Sequence, residues 1–252
     1  MHRLLVETGA LSSDRPSLPK DAANHLRVLR PKPGEEIELF DGRGRWRVFA
    51  SDGAAGLSPK SEIREAPRPS AELTLFACVT KGSRWDWTIE KATELGVTRI
   101  VPVISERTIV RLAPSEYEAK RLRWQRVAED AARQSDAKWL PEIHAPVIFA
   151  ESLPLVRETT CYVGALTDPP PKTIGEVLAA GDGGKDFRLS TFDNGNRTHL
   201  ATFIGPEGDF TPDELAALLA VATPVSFGST ILRAETAAIY ALSVLKAFLP
   251  CL

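Results

Sequence analysis

Apolar and polar positions alternate along the C-terminal part of the chain in the pattern of an α/β protein. Continuous apolar runs of strand length occupy residues 72–79, 97–104 and 161–166. Residues 83–95, 115–134 and 174–180 instead repeat their apolar positions at helical spacing. Strands that alternate with amphipathic helices in this way are typical of a layered fold with a largely parallel sheet. The pattern therefore predicts an α/β domain.

The N-terminal part of the chain has a different, β-rich pattern. A short helix is predicted at residues 18–29, followed by a strand at 35–40 and a returning strand at 45–50. Asp41 and Gly42 between these strands supply the turn chemistry of a hairpin. A stiff, proline-containing linker at residues 66–70 then separates the two patterns. We therefore expect domains at residues 1–66 and 71–252.

Two glycine-containing loops near the C-terminus each follow a short apolar run. One loop spans residues 205–208 and the other residues 228–230. Each could be an ordinary turn, but the second leads to a charged Arg233 and Glu235 at the start of an otherwise apolar helix, which favours a binding site. Residues 181–196 are polar and rich in glycine, which predicts mostly loop with a possible strand at 187–192.

Helix starts are predicted from pairs of polar residues three positions apart, which form capping boxes. The candidate pairs are Ser83 with Asp86, Ser115 with Glu118, and Thr211 with Glu214. The third pair also has Pro212 at the first helical position, where a missing N–H costs nothing.

Composition and charge describe an ordinary globular protein. The chain has 252 residues, is 43% hydrophobic and carries a formal net charge of -2, so any contact with RNA must come from local basic faces. Its three cysteines are far apart, which predicts neither a disulfide framework nor a zinc site. No signal peptide or membrane-length apolar run is visible, so we expect a cytoplasmic protein with no membrane or metal partner.

Common catalytic motifs are missing from the sequence. It contains no phosphate-binding lysine loop, no dinucleotide fingerprint, no HExxH helix and no GxSxG elbow. A cofactor that carries its own activated group would need few catalytic side chains.

A resemblance to a known family rests on residues 204–214, IGPEGDFTPDE, and 226–242, SFGSTILRAETAAIYAL. These segments resemble the signature of the RsmE family of SPOUT-class methyltransferases, with departures at Asp209, Thr230 and Ala234. Further similar blocks run from Lys81-Gly82 through residues 90–97, 105–108, 123–125, 131–135 and 141–143. Residues 25–30, HLRVLR, with Gly34 are similar to the family's PUA-like domain.

The resemblance implies a fold and an activity. The fold is a SPOUT trefoil-knot methyltransferase domain with an N-terminal PUA-like, RNA-binding domain. The activity is transfer of a methyl group from S-adenosylmethionine to N3 of a uridine in small-subunit (16S) ribosomal RNA. The resemblance also implies a homodimer, and the apolar final helix, residues 237–249, is compatible with burial in the core or in a dimer.

Site residues follow from the same resemblance. The cofactor is expected in three loops, at Leu166, Thr167, Ile204, Gly205, Pro206, Glu207, Gly208, Phe227, Gly228, Ile231 and Leu232. Arg233 is the candidate for stabilising the uridine anion, and Glu235 would orient it or take part in proton removal. The alternative is a structural Arg–Glu pair that caps the last helix.

Expected RNA-binding residues come from two arguments. The period of two along the returning strand places Arg45 and Arg47 on one face, with Arg43 in the turn before it. This could be a phosphate-binding face or merely a solvated one. The resemblance adds Arg27 and Arg30.

Two other functions stay open from the sequence. One is a catalytically weak or inactive homologue that binds RNA on the same scaffold. The other is a SPOUT enzyme that acts on tRNA or on another base.

Overall fold

The computed structural model describes residues 1–53, 56–156, 159–180 and 198–249. The chain forms two compact units. The first consists of Met1–Arg68 and Glu129–Leu140, and the second of Pro69–Ala128 and Pro141–Leu252. The predicted loop and possible strand at 181–196 lie outside the described residues.

The first unit is built on a five-stranded sheet. Its elements are β1 (His2–Leu5), α1 (Thr8–Leu11), α2 (Lys20–Leu29), β2 (Glu36–Phe40), β3 (Arg45–Ser51), β4 (Leu57–Pro59) and β5 (Arg64–Glu65). The order is β1-β2-β3-β4, with β5 also paired to β3; β1 and β2 are parallel and the other pairs antiparallel. The predicted hairpin is confirmed as β2 and β3. Its turn needs Gly42, because φ is 67° there and a Cβ would lie 2.3 Å from the Leu140 side chain.

A buried charge network attaches residues 129–140 to this unit. Arg3 on β1 is 8% exposed, and its Nε donates to Glu38 Oε1 at 2.7 Å. Its Nη1 donates to the Ala132 carbonyl at 2.6 Å and its Nη2 to the Ala137 carbonyl at 3.1 Å. Lys138 Nζ also donates to Glu38 Oε1, at 2.7 Å. One arginine thus satisfies carbonyls near the end of a helix that begins more than a hundred residues later in the chain.

The second unit is an α/β layer structure. Its strands are β6 (Ala71–Cys78), β7 (Arg99–Ile104), β8 (Glu142–Ile143), β9 (Val147–Ile148), β10 (Thr160–Gly164), β11 (Thr198–Ile204) and β12 (Thr223–Val225). Its helices are α3 (Ser83–Glu94), α4 (Tyr117–Ser135, of which the residues from Glu129 belong to the first unit), α5 (Phe149–Ser152), α6 (Ile174–Ala180), α7 (Pro212–Leu219) and α8 (Ala234–Phe248). Short 3-10 turns lie at Pro114–Glu116 and Leu153–Val156.

Every strand pair of this sheet is parallel, which confirms the prediction from the apolar runs. The order is β12-β10-β11-β6-β7-β8, with β9 also paired to β7. Leu75 on β6 packs in one hydrophobic cluster with Trp85 of α3, whereas its neighbour Phe76 packs in a second cluster and stacks on Phe203 at 4.7 Å. Both faces of the sheet are therefore buried, which explains why its strands read as continuous apolar runs.

Two of the three predicted capping boxes are wrong. Helix α3 begins after Gly82 without a side-chain cap, and Asp86 instead accepts from Arg123 Nη1 at 2.8 Å. Before α4, the Glu116 carboxylate accepts from the Ala113 N–H at 2.8 Å, and Glu118 is bonded to Arg121. In both cases the carboxylate that was expected to cap the helix is instead bonded to the guanidinium of a nearby arginine.

The third capping box is confirmed. The Glu214 N–H donates to Thr211 Oγ1 at 3.2 Å, and the Thr211 N–H donates to Glu214 Oε2 at 3.0 Å. Within the described ranges, no helix is both long and apolar enough to cross a membrane. The same residues contain no group of three or more His, Cys, Asp or Glu side chains that could hold a metal ion.

Candidate active site at the carboxyl ends of three strands

A cavity of about 290 Å³ lies where the neighbouring parallel strands β10, β11 and β12 end. Its walls are formed by the ends of these three strands and the segments that follow them. The lining residues are 164–166, 204–209 except Gly208, 225–234 except Ser229, and Ala237, the last two parts reaching into the start of α8. Ligands in open parallel sheets bind outside the carboxyl ends of the strands, because the loops there bring exposed backbone groups together. The position is that of a ligand site.

The predicted cofactor residues meet in this cavity, with two exceptions. All of them line it except Thr167 and Gly208. The Thr167 hydroxyl donates to the Pro169 carbonyl in its own loop at 2.9 Å, and the Gly208 carbonyl accepts from Arg107. Both groups are therefore used within the protein.

Several wall residues were missed by the sequence prediction. Gly164 and Ala165 were assigned to a strand that ends earlier than expected, since β10 stops at Gly164. Ala234 and Ala237 belong to the side of α8 that faces the cavity, and nothing in their chemistry marks them. Small, inert wall residues are recognised only when the fold is known.

One wall depends on a glycine. A Cβ at Gly164 would lie 2.4 Å from Cε2 of Phe227, well inside van der Waals contact. Phe227 also makes an edge contact with Tyr240, the ring centroids being 5.8 Å apart. Gly164 therefore lets the aromatic ring close this side of the cavity.

Asp209, which departs from the family form, fits the backbone of its loop. Its N–H donates to the Pro206 carbonyl at 2.9 Å, and its φ is 59°. Aspartate tolerates this left-handed region better than most residues, because its side chain can bond to the nearby backbone. Here Asp209 Oδ1 accepts from the Phe210 N–H at 2.7 Å. The residue also lines the cavity and adds a carboxylate to it.

The loop after β11 is held by the loop after β7. Arg107 Nη1 donates to the Gly208 carbonyl at 3.0 Å and to that of Phe210 at 3.4 Å. The Glu106 N–H donates to Glu214 Oε1 at 2.9 Å, so one carboxylate joins this loop to the start of α7. Residues 105–108 belong to one of the segments that resemble the family, but these contacts join distant parts of the chain and no local pattern predicts them.

The two predicted catalytic residues do not form a pair. Arg233 is the exposed N-cap of α8 and lines the cavity, and its side chain makes no capping hydrogen bond. Within the described residues, the cation within ion-pair distance of Glu235 is instead Arg84, with Nε 3.8 Å from Oε1. Among the described residues, the alternative of a structural Arg233–Glu235 pair is therefore not formed, and the catalytic roles of the two residues stay predictions. The Glu235 side chain is 12% exposed, and its Oε2 is buried without a hydrogen-bond partner in the part of the chain described.

The arginines expected to bind RNA divide into two groups. Arg27, Arg30 and Arg43 are exposed. Arg47 is not available, since its guanidinium donates to the carbonyls of Ser61 at 2.8 Å and Leu11 at 3.0 Å. Arg45 is 2.9 Å from Glu65. The predicted basic face of Arg45 and Arg47 is therefore a structural and ion-paired one.

Comparison with known proteins gives consistent matches along the chain. Residues 66–246 match a family described as RNA methyltransferase domain, and residues 18–49 match an RNA methyltransferase PUA domain. The ribosomal RNA small subunit methyltransferase E of Synechocystis sp. is 34% identical, over 88% of this chain and 69% of that protein. The protein of the same name from Bacillus subtilis is 30% identical, over 91% of this chain and 89% of its own.

Solved structures agree with these matches. The ribosomal RNA small subunit methyltransferase E of Neisseria gonorrhoeae, bound to S-adenosyl methionine, superposes with a TM-score of 0.80 at 26% identity, covering 99% of this chain and 98% of its own. A Legionella pneumophila protein solved with the same bound cofactor gives a TM-score of 0.83 at 25% identity, covering 100% and 99% of the two chains.

Proposed function

We propose that this chain, which belongs to the RsmE family of RNA methyltransferases, uses the cavity at the ends of β10, β11 and β12 to transfer a methyl group from S-adenosylmethionine to N3 of a uridine in 16S ribosomal RNA. The expected fold, a SPOUT methyltransferase domain with an N-terminal PUA-like domain, is confirmed. The observation that carries the proposal is that three loops from separate parts of the sequence meet around one cavity.

The cavity walls suit S-adenosylmethionine. Apolar side chains of Ile204, Val225 and Leu232 can pack against an adenine ring, and backbone groups of the loops can read its edge. Glu207 and Asp209 place carboxylates at the same cavity, where they can face the positive sulfonium and ammonium groups. The sulfonium supplies an electrophilic methyl group, so the protein has mainly to align the acceptor and exclude water.

Uridine N3 must lose its proton before or during attack on the methyl carbon. The negative charge that develops on the base needs a cation nearby. Arg233 is exposed at the cavity and is our candidate for this role. Glu235, one of whose oxygens is buried without a hydrogen-bond partner among the described residues, is the candidate for proton removal.

Exposed arginines of the first unit are proposed to hold the RNA. Arg27 and Arg30 lie on and directly after α2, and Arg43 lies in the β2–β3 turn. Guanidinium groups that are free of carboxylate partners can neutralise phosphates. Replacing any of the three should weaken RNA binding and reduce its dependence on salt.

A second copy of the chain is proposed to complete the site. Leu166 and Ile231 both line the cavity, yet they are 68% and 83% exposed. Large apolar side chains left open beside a ligand site favour a covering subunit. A cytoplasmic setting is proposed as well, because ribosomal RNA is the proposed substrate. Sedimentation of a fully active monomer would contradict the dimer.

The test of the function is direct. Purified protein should bind S-adenosylmethionine in calorimetry and form 3-methyluridine in small-subunit particles or in 16S RNA, detected by mass mapping. Arg233→Ala should lower turnover with both substrates saturating. Arg99→Ala is a matched control, since Arg99 is a 42%-exposed, ion-paired arginine at the amino end of β7. Binding of RNA without binding of the cofactor would indicate a non-catalytic homologue instead.

A further inference from the structure

One guanidinium lies between two carboxylates, one on a loop that lines the cavity and one on the helix beside it. Arg84 Nη1 is 3.7 Å from Glu207 Oε1, and Arg84 Nε is 3.8 Å from Glu235 Oε1. Glu207 belongs to the loop after β11 and lines the cavity, whereas Glu235 lies in the first turn of α8. Arg84 itself lies in the first turn of α3, which packs against α8.

These contacts are ion pairs that are not closed into hydrogen bonds. Both distances exceed the range of an N–H···O bond, and the Arg84 side chain is 46% exposed. Within the described residues, its guanidinium has no hydrogen bond to another group, although it carries five N–H donors. Glu235 is much more buried and also keeps an oxygen without a donor. The cluster therefore retains hydrogen-bonding capacity on both its cation and its buried acid.

The position of Glu235 makes that capacity relevant to the reaction. Ala234 and Ala237 on the same helical turn line the cavity, so Glu235 lies beside the cofactor space and not inside it. The cofactor is proposed to occupy this cavity, so an acceptor base would reach the methyl group from the cavity rim. Among the described residues, Glu235 Oε2 has no hydrogen-bond donor, and such a carboxylate oxygen can accept a proton from an N–H group brought beside this helical turn.

We propose that Arg84 is a positioning residue for Glu235, and that Glu235 takes the N3 proton of the target uridine. This inference rests on the proposed function. In the step, the N3–H proton passes to the Glu235 carboxylate and the N3 electron pair forms the bond to the methyl carbon. The carbon–sulfur bond breaks, and its electron pair stays on sulfur, leaving a neutral thioether. Arg84 holds the carboxylate in place and connects it to the cofactor loop through Glu207.

A set of variants tests the assignment. Arg84→Ala should lower kcat by roughly 10- to 100-fold, which is less than the roughly 10²- to 10⁴-fold that general base catalysis typically contributes, because the base is misplaced but still present. The Kd for S-adenosylmethionine, measured by calorimetry, and the KM for RNA should stay within about threefold of wild type. Arg84→Lys keeps one positive charge at the same site and should recover part of the lost kcat. Arg99→Ala should behave as wild type, because Arg99 is an ion-paired arginine with an exposure similar to that of Arg84 but lies at the other end of the strands.

A double-mutant cycle separates positioning from independent action. If Arg84 acts through Glu235, Arg84→Ala should cause no further loss of kcat in a Glu235→Gln background. The same change in a Glu207→Gln background should keep its full effect. Multiplicative losses in the Glu235→Gln background would overturn the assignment, as would wild-type kcat in folded Arg84→Ala protein.

Failure of the inference and failure of the function give different results. Wild-type protein that forms no 3-methyluridine contradicts the proposed function. Active wild type with an Arg84→Ala variant that loses only cofactor affinity or thermal stability contradicts the inference alone. If Arg84→Ala does not fold, the Arg84→Lys variant alone and in the Glu235→Gln background gives the same comparison.

Discussion

Adding one methyl group at Gly164 should narrow the cavity without unfolding the protein. The new Cβ of Gly164→Ala would lie 2.4, 2.9 and 3.2 Å from three atoms of the Phe227 ring. The ring must therefore move by about 1 Å before ordinary contact is restored. The ring already contacts Tyr240, and it lines the cavity together with Gly164, so we expect it to move into the open space of the cavity.

The size of the effect on stability and on cofactor affinity depends on whether the displaced Phe227 ring moves against packed core or into the open cavity. Inserting a methyl group into a closed core typically costs about 1–3 kcal/mol of stability. Phe227 is only half-buried and faces open space, so we expect a loss in unfolding free energy below about 1 kcal/mol. Displacement into the cavity should instead weaken S-adenosylmethionine binding by about tenfold, or about 1.4 kcal/mol.

The assay compares two glycines in the same unit. Calorimetric titration with S-adenosylmethionine gives Kd, and thermal unfolding of the same sample reports stability. Gly175→Ala is the control, because a Cβ at Gly175 in α6 meets nothing within 4 Å. Alanine there should raise helix stability by roughly 0.5–1 kcal/mol and leave Kd unchanged.

Three results would refute this reasoning. An unchanged Kd for Gly164→Ala would mean that the cofactor does not use the space beside Phe227. A large loss of stability with normal affinity in the remaining folded protein would mean that the ring cannot move into the cavity. An equal loss of affinity in Gly175→Ala would show that the effect is not specific to the wall.

Three further outcomes are expected. Arg107→Ala should raise the Kd for S-adenosylmethionine about three- to tenfold and speed hydrogen exchange near Gly208, since the loop loses two bonds; unchanged exchange would contradict this. Glu38→Gln should cost about 3 kcal/mol in denaturant unfolding because it removes the buried carboxylate that Arg3 and Lys138 share and leaves them paired only with the exposed Asp136, whereas Glu36→Gln, which alters a surface pair, should not change the midpoint. Burial raises the pKa of the Cys78 thiol to about 11 from 9.0, so the folded state keeps a proton that the unfolded state loses. Its contribution to stability should be complete below pH 9 and lost as the pH rises to 11, giving a steeper decline than in Cys78→Ala.

Local signals predicted much of the second unit. The strands around residues 72–79 and 97–104 were recognisable because a sheet covered on both faces needs unbroken apolar runs, and glycine or proline ends each run. The loop at 205–208 was recognisable because its glycines and proline end such an apolar run. These local signals indicate the chemistry of each loop and its position in the chain. The loops meet only because the parallel sheet places the ends of their strands side by side.

Contacts between distant residues could not be predicted in this way. The alternation along β3 correctly places Arg47 opposite its neighbours, but it does not show that the guanidinium binds the Leu11 and Ser61 carbonyls. Arg84 likewise reads as one exposed charge at a helix start. Its importance becomes visible only when α3 is packed against α8 and Glu235 is found beside it.

The capping boxes show how one tertiary contact decides between two local outcomes. All three candidate pairs have the same spacing, yet only Glu214 caps its helix, because Asp86 and Glu118 are each bonded to an arginine. Glu214 is 9% exposed and accepts from two backbone N–H groups, one of them Glu106 in the loop after β7. The same carboxylate therefore starts α7 and binds the loop after β7, whose Arg107 in turn holds the loop that forms one wall of the cavity. The shape of this site depends on a capping residue outside the cofactor loops, so substitutions confined to those loops would test only part of what holds the cofactor.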